Sequence, residues 1–372
     1  MKAIGIILAG GNNNRMKELT AKRAVPALPV AGSFRAIDFS LSSMSNSHIQ
    51  TVAILTQYNA RSLNEHLSSS KWWNFGRKQG GLFLFTPTVT ADNSDWYRGT
   101  ADAMYQNIDF LKRRHEPYVI ISSGDCVYKL DFNRVLDFHI EKKSDITVVC
   151  KDMMYNDDVS RFGVVRMDDE SRITEFDEKP IEALSNTIST GIYVIRRRQL
   201  IELLEAAAEE NRFDFVNDIL VRYKNVKKIY GYKINSYWNN IADIDAYFKT
   251  NMDFLRPDVR SYFFREEPTI CSKVDDLPPA KFNPGSDISN SLVSSGCIIN
   301  GRVEDSVLFK QVFVGKNTTV KNCVILNDVY IGDNVHLENC IVESRGTINP
   351  NPCYCGEDGV MIVKEKNVRY VI

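Results

Sequence analysis

Short apolar runs alternate with amphipathic stretches through the first two-thirds of the chain. AIGIILAGG, TVAILTQ, YVIISSGD and SDITVVCK each hold a stretch rich in Ile and Val, the signature of buried strands. Between them lie FSLSSMSNS, ARSLNEHLSS, GTADAMYQNIDFLKRR and FNRVLDFHIEKK, whose apolar positions recur at helical spacing. Gln106 and Asn107 form a polar break in the third, before Ile108, Phe110 and Leu111. FGVVRMDDESRITEFDEKP then reads as a hairpin, and STGIYVIRRRQLIELLEAAAEE as a strand entering a helix. Strands alternating with helices imply parallel crossovers and a sheet covered on both faces. The expected fold is therefore α/β, with an N-terminal doubly wound, mostly parallel sheet. Ligands of such sheets bind beyond the carboxyl ends of the strands, where the GG after LA and the SSGD after YVII both fall.

IDAYFKTNMDFL predicts a helix, after which Pro257, Pro268, Pro278, Pro279 and Pro284 punctuate a segment without a sustained period, read as a linker. From about residue 285 the texture changes. Aliphatics recur at close to six residues, as in Val314 and Val320, then Ile325, Ile331 and Leu337, and again Val329, Val335 and Ile341. A six-residue period fits neither one helix nor one strand. It fits a triangular coil with three short faces, a left-handed parallel β-helix of hexapeptide repeats, with slips near residues 303–312. An irregular β-sandwich is the alternative. The expected division is the α/β unit over 1–245, a helix and Pro-containing linker over 246–284, and the β-helix over 285–372.

Composition narrows the function classes. Of 372 residues, 44% are hydrophobic and 25% charged, which excludes disordered and fibrous classes. Lys plus Arg is 46 and Asp plus Glu 47, so no global field draws the chain to nucleic acid or an anionic membrane, and neither is an expected partner. No apolar run approaches the roughly 20 residues of a membrane span. MKAIGIILAGG resembles a short signal sequence but runs into GGNNNR without a small-x-small cleavage pattern, which favours a buried first strand and a cytoplasmic protein. The eight cysteines are scattered except Cys353 and Cys355. Without paired CxxC units beside His, they read as reduced thiols rather than a zinc site.

LAGGNNNRMKELT follows the first strand. Gly10 and Gly11 let the backbone approach an anion, peptide N–H groups there can cradle phosphate, and Arg15 offers a bidentate contact. A plain strand-to-helix turn accounts for the same residues, and the run is neither a Walker loop nor G-x-G-x-x-G. His48, His66, His115 and His139 read as packing or surface residues. His336 stands alone in the coil, Trp72, Trp73 and Phe75 read as core aromatics, and Arg196–Arg198 as a solvated junction.

LAGGNNNRMKELTAKRAVPALPVAGSFRAIDFSLSSMSNSHI resembles the opening of the sugar-nucleotide pyrophosphorylases, and within them the glucose-1-phosphate adenylyltransferases (ADP-glucose pyrophosphorylases). ILTQY, WYRGTADAMYQN, SSGDCVYKLDF, ITEFDEKP, STGIYVI and SYWNNIADIDAY follow in that family's order, and the terminal coil matches it too. The resemblance implies a reaction of glycogen biosynthesis in which glucose 1-phosphate attacks the α-phosphorus of ATP to give ADP-glucose and pyrophosphate. An anion approaches an anion, so Mg²⁺ and cationic side chains carry the catalysis.

Residue by residue, the resemblance assigns catalytic positions to Arg15 and to Asp125, the latter also a metal ligand. It assigns nucleotide contacts to Gly10, Gly11, Gln57, Gly99 and Thr100, and sugar-phosphate contacts to Glu178, Lys179, Ser189 and Tyr193. Lys22 falls at an activator-binding lysine, or is a solvated lysine at a helix entry. The departures are specific. Asn13 replaces the loop's third glycine. Val25 stands where R-A-K-P has its lysine. Asn240 replaces the second metal-binding Asp, which implies a weakly held Mg²⁺ or none. Asn239 and Ala242 replace an Arg and a Gly beside it, and Asp243 lies three residues on. DFVND replaces D-F-G-K-D around Asp214 and Asp218. A family member with this combination is most like the GlgD-type companion subunit, a regulatory, non-catalytic or weakly active partner of a catalytic adenylyltransferase subunit in a hetero-oligomer, expected as a tetramer. A competent adenylyltransferase, and a metabolite-sensing scaffold without turnover, are the other readings.

Overall fold

The computed structural model describes residues 2–11, 14–76, 80–88, 95–154 and 157–365. Its first part is built on a nine-stranded mixed sheet. We number the strands of this part β1 (Ala3–Leu8), β2 (Thr51–Leu55), β3 (Gly81–Phe85), β4 (Tyr118–Ser123), β5 (Cys126–Tyr128), β6 (Ile146–Asp152), β7 (Gly163–Met167), β8 (Ile173–Glu178), β9 (Thr187–Arg196), β10 (Ile229–Lys233) and β11 (Trp238–Asn240). β1 lies between β2 and β4 with β3 beyond β2, all parallel. β9 runs antiparallel to β4 and β6, and β10 closes that side parallel to β6.

β1 and β4 are apolar on both faces because both are covered. Helices Ala36–Asn46 and Phe132–Glu141 bury Ile37, Leu41, Met44, Val135 and Leu136 on one side. Helices Thr100–Tyr105, Ile108–Lys112 and Arg197–Glu209 bury Ala101, Met104, Leu111, Leu200 and Leu204 on the other. The break between the first two of these falls at Gln106 and Asn107, as the polar pair predicts. β9 is a composite strand. Its register shifts between Ser189 and Tyr193 around Gly191, which takes φ +74°. Beyond the shift Ile188 pairs with Val164 of β7, so Ser189 sits past the end of β4.

The expected linker contains a second helix, Pro257–Phe264. Pro257 read as a breaker, yet it occupies the first turn, where its missing N–H costs nothing and its fixed φ suits the helix. Phe254 and Phe263 from this bridge bury against Phe39. The Tyr247 hydroxyl donates to the Pro29 carbonyl at 2.6 Å, and Asn251 Oδ1 accepts from Ala31 N at 3.0 Å.

The last part is a left-handed parallel β-helix, three five-stranded parallel sheets wound as a triangular coil. Arg302, Thr319, His336 and Cys353 stack in register, and the Asn ladder from Asn317 through Asn334 to Asn351 repeats every 17 residues. The slip is at 298–302 rather than 303–312, for Ser306 bonds Ser291 only 15 residues back. Asn317, Asn322, Asn334 and Asn339 turn the corners at positive φ, which Asn tolerates better than most residues. Leu308, Ile325 and Val342 fill the coil, whereas Val307, Val324 and Ile341 face out and pack on the first part with Phe39, Tyr247 and Phe254. Arg23 pairs with Glu343 across this junction, and the Ser294 hydroxyl donates to the Gly32 carbonyl at 2.9 Å. Among the described residues no helix is long and apolar enough to cross a membrane.

Candidate functional site

Two cavities adjoin at the carboxyl ends of β1 and β4, and Ser123 and Asp125 line both. The first, about 510 Å³, is lined by Gly10, Gly11, Val25, Gln57, Gly99, Thr100 and Asp125. The second, about 410 Å³, is lined by Arg15, Asp125, Glu178, Lys179, Ser189, Tyr193 and Asn240. The structure thus separates the residues matched to the nucleotide from those matched to the sugar phosphate, with Asp125 between.

In the first cavity, Ala9 N extends the parallel ladder to Leu55 O at 2.8 Å. A Cβ on Gly10 would sit 3.3 Å from Gln57 N, while one on Gly11 would meet nothing within 4 Å. Gly10 therefore lets β1 run close to β2, and Gly11 exposes bare backbone to the cavity. Asn13 lies outside the described residues. Both ends of the Gln57 amide hold the Tyr97 main chain, Oε1 accepting from N at 2.6 Å and Nε2 donating to O at 3.3 Å. Gln57 thereby fixes the loop that brings Gly99 over the cavity. A Cβ on Gly99 would lie 2.3 Å from Phe213 O, so only glycine fits. Thr100 Oγ1 accepts from Phe215 N at 2.9 Å. Val25 lies in the short 3₁₀ turn Val25–Ala27 and is 5% exposed, clustered with Met16, Leu19 and Leu28. No lysine among the described residues lines this cavity, and the guanidinium of Arg98 sits 3.9 Å above the Phe213 ring while pairing with Asp102.

The second cavity gathers the charged side chains of Arg15, Asp125, Glu178 and Lys179. Lys179 takes φ +51° at the end of β8, and its ammonium lies 3.0 Å from Glu178. A Cβ on Gly163 would come within 2.9 Å of Glu178 Oε2, so this glycine leaves room for the carboxylate. Ser189 Oγ donates to the Tyr193 hydroxyl at 3.3 Å, and burial pushes the Tyr193 phenol well up, keeping it a neutral donor. Val216 lines the wall, while Asp214 and Asp218 hold their own turn, accepting from Asn217 N, and from Phe213 N and Asp214 N.

The acid and amide at the shared wall are positioned by the β5–β11 pair, in which Cys126 lies opposite Asn240 and Ile241 N donates to Asp125 O at 3.0 Å. Asp125 Oδ1 accepts from Ser123 Oγ at 2.5 Å. Asn240 Oδ1 accepts from Ala242 N at 3.0 Å, turning its oxygen back onto its own loop. Asp243 caps the next helix, with Oδ1 on Ala246 N at 2.7 Å, and its other oxygen pairs with Arg161. The neighbouring carboxylate is therefore committed elsewhere. Asp125 is left as the one acid of this strand pair, where Mg²⁺ sites take one or two carboxylates together with substrate phosphates. The donor set does not fit a two-acid metal centre.

Arg161 was not legible in the sequence. It comes from a turn before β7, where no strand or helix pattern flags it, and it lines the second cavity with Arg15. Burial, with Arg15 adding to it, pulls its pKa below the ordinary guanidinium value, while Asp158 opposes the shift. Lys22 is exposed in the bend before Arg23 and lines neither cavity. Trp73 and Phe75 are buried core residues, Trp73 Nε1 donating to Cys271 O at 3.1 Å. His66 is buried against Asp38 at 2.6 Å. Arg197 caps Leu111 O at 3.0 Å.

Two family models match the chain, a nucleotidyl transferase over residues 4–256 and a GlmU-like C-terminal hexapeptide over residues 278–361. Among curated proteins, a glucose-1-phosphate adenylyltransferase of Clostridium novyi is 38% identical over 85% of this chain and 84% of its own length. Enzymes of the same name from Pseudothermotoga lettingae (39% identity; 86% of this chain, 76% of that protein) and Bacillus subtilis (37%; 86% and 84%) are similarly related.

Proposed function

This chain belongs to the glucose-1-phosphate adenylyltransferase family, and we propose that within it the protein is a cytoplasmic regulatory subunit, non-catalytic or weakly active, of the companion type. It retains pockets for ATP or ADP-glucose and for glucose 1-phosphate, and modulates a catalytic partner in a hetero-oligomer, a tetramer of the two subunit types. Gly10, Gly11, Gln57, Gly99 and Thr100 shape the nucleotide pocket. Glu178, Lys179, Ser189 and Tyr193 shape the sugar-phosphate pocket, with Arg15 beside Asp125. Lys22, exposed in the bend before Arg23, is the proposed effector contact.

One observation carries this reading. The two walls are built, but two of the groups that would neutralise the transferring phosphate are replaced. Val25 presents an apolar side chain where the family pattern has a lysine, Asn240 presents a neutral amide in place of the second acid, and the adjacent Asp243 is held by Arg161 and its helix cap. Removing one electrostatic stabiliser commonly costs about 10²–10³ in rate. Mg²⁺ held by Asp125 alone would be bound weakly and would arrive chiefly with the nucleotide's phosphates.

The test is co-expression with a catalytic homologue, followed by mass measurement and activity. The account expects a mixed assembly whose response to substrate or effector differs from that of the catalytic chain alone. A protein that stays apart from the catalytic chain and turns over substrate unaided would support a competent adenylyltransferase instead.

A further inference from the structure

The outward face of one β-helix sheet carries a cluster outside both cavities. His336 and Cys353 are register partners on adjacent coils, as are Glu338 and Cys355, and Leu337 between them points inward to full burial. Strand alternation therefore sends all four flanking side chains out of the same face, in a two-by-two array. Donor atoms of His336, Glu338 and Cys355 lie within 4.8 Å of one another, and Cys353 Sγ is 3.6 Å from Cys355 Sγ. Among the described residues this is the one such group of metal-ligating side chains.

We propose that Cys353, Cys355, His336 and Glu338 form a structural site for a thiophilic divalent cation, zinc foremost. Two Zn–S bonds of about 2.3 Å at a tetrahedral angle hold their sulfurs roughly 3.8 Å apart, close to the spacing present here. An imidazole and a carboxylate complete four-coordination, and a set of two sulfurs with one nitrogen selects zinc over Mg²⁺ or Ca²⁺. With Cys353 drawn in beside Cys355, the set closes at four protein ligands, which points to a structural role rather than a catalytic one.

The position gives the site a purpose. The last coil lengthens after Cys355. Ile341 stacks on Ile362, 21 positions on, where the two preceding steps on this face, Val307 to Val324 and Val324 to Ile341, span 17. A cation ligated from both coils would staple this lengthened coil to the one before it. Without a cation, the adjacent Cys353 and then partial burial push the Cys355 thiol up to about 11, and Lys321 pairs with Glu338 at 3.0 Å. Binding would release protons from the thiols and draw Glu338 from Lys321.

The full-length protein, reduced and stripped with chelator, is titrated with Zn²⁺ against a chromogenic chelator and with Co²⁺ by absorption. The expected result is about one ion per chain, with a thiolate-to-cobalt charge-transfer band and the visible bands of tetrahedral Co²⁺. Cys355→Ser and His336→Ala each weaken zinc binding by at least about tenfold. These side chains face outward, and circular dichroism verifies that the variants fold. A stoichiometry well below one, binding unchanged in Cys355→Ser, or a Cys353–Cys355 disulfide forming with no metal uptake would each overturn the assignment.

Discussion

Arg161 and Asp243 form an ion pair beside the second cavity, joining the turn before β7 to the cap of the helix Ile244–Asp253. The pair engages the carboxylate three residues after Asn240 and holds a guanidinium on the cavity wall that Arg15 also lines. Arg161→Ala should therefore weaken glucose 1-phosphate binding by about tenfold or more, the loss of one charge-assisted contact, with ATP affinity little changed. Calorimetry with each ligand checks this, and equal losses for both would show a general collapse of the site.

Gly99→Ala tests how closely the loop over the first cavity is fitted. The added Cβ would lie 2.3 Å from Phe213 O, which is main chain and cannot swing away. Forced displacement of this kind costs about 1–3 kcal/mol. The variant should unfold at lower urea concentration and bind ATP more weakly. Gly11→Ala, with open space around it, should leave stability within about 0.5 kcal/mol.

His139 predicts a pH dependence of stability. It is buried, Nδ1 within 2.9 Å of Thr147 Oγ1, and burial followed by the nearby Arg196 charge lowers its pKa to about 4. The unfolded chain protonates near pH 6.5, so between about 6.5 and 4 it binds more protons than the folded one. Stability is then full above pH 6.5 and falls as pH drops, by up to roughly 3 kcal/mol from this group. Urea midpoints measured from pH 7 to 4.5 should decline, and His139→Gln should flatten part of that decline.

Arg23→Ala tests how the two parts are held together. Glu343 would keep a mostly buried carboxylate without its guanidinium, a change that costs about 3 kcal/mol or more where a buried pair is broken from one side. The β-helix should then unfold in a transition separate from the first part. Restoring partial stability with Glu343→Gln in the Arg23→Ala background would assign the loss to the stranded charge.

The sequence exposed those features whose cause is local. The apolar β1 and β4, the polar break at Gln106 and Asn107, and the coil's aliphatic period all follow from which face each residue must bury. The coil repeats at 17 rather than at a multiple of six, which is why the period looked irregular and why its slip was misplaced. Pro257 was misread because the same ring that ends a helix also begins one. The residues matched to nucleotide and sugar phosphate do gather into two cavities sharing Asp125. Arg161 and the Cys353, Cys355, His336 and Glu338 array were hidden for a different reason. A turn residue has no periodicity, and residues one coil apart become neighbours only through the β-helix register.

The most direct test of the account is steady-state turnover of ATP and glucose 1-phosphate by the isolated protein and by Val25→Lys/Asn240→Asp. The account predicts barely measurable turnover in the parent and a gain of at least about 10²-fold in the double variant, as a missing cation and acid are restored. A parent already turning over near the roughly 10 per second common among enzymes, with no gain in the variant, would contradict it.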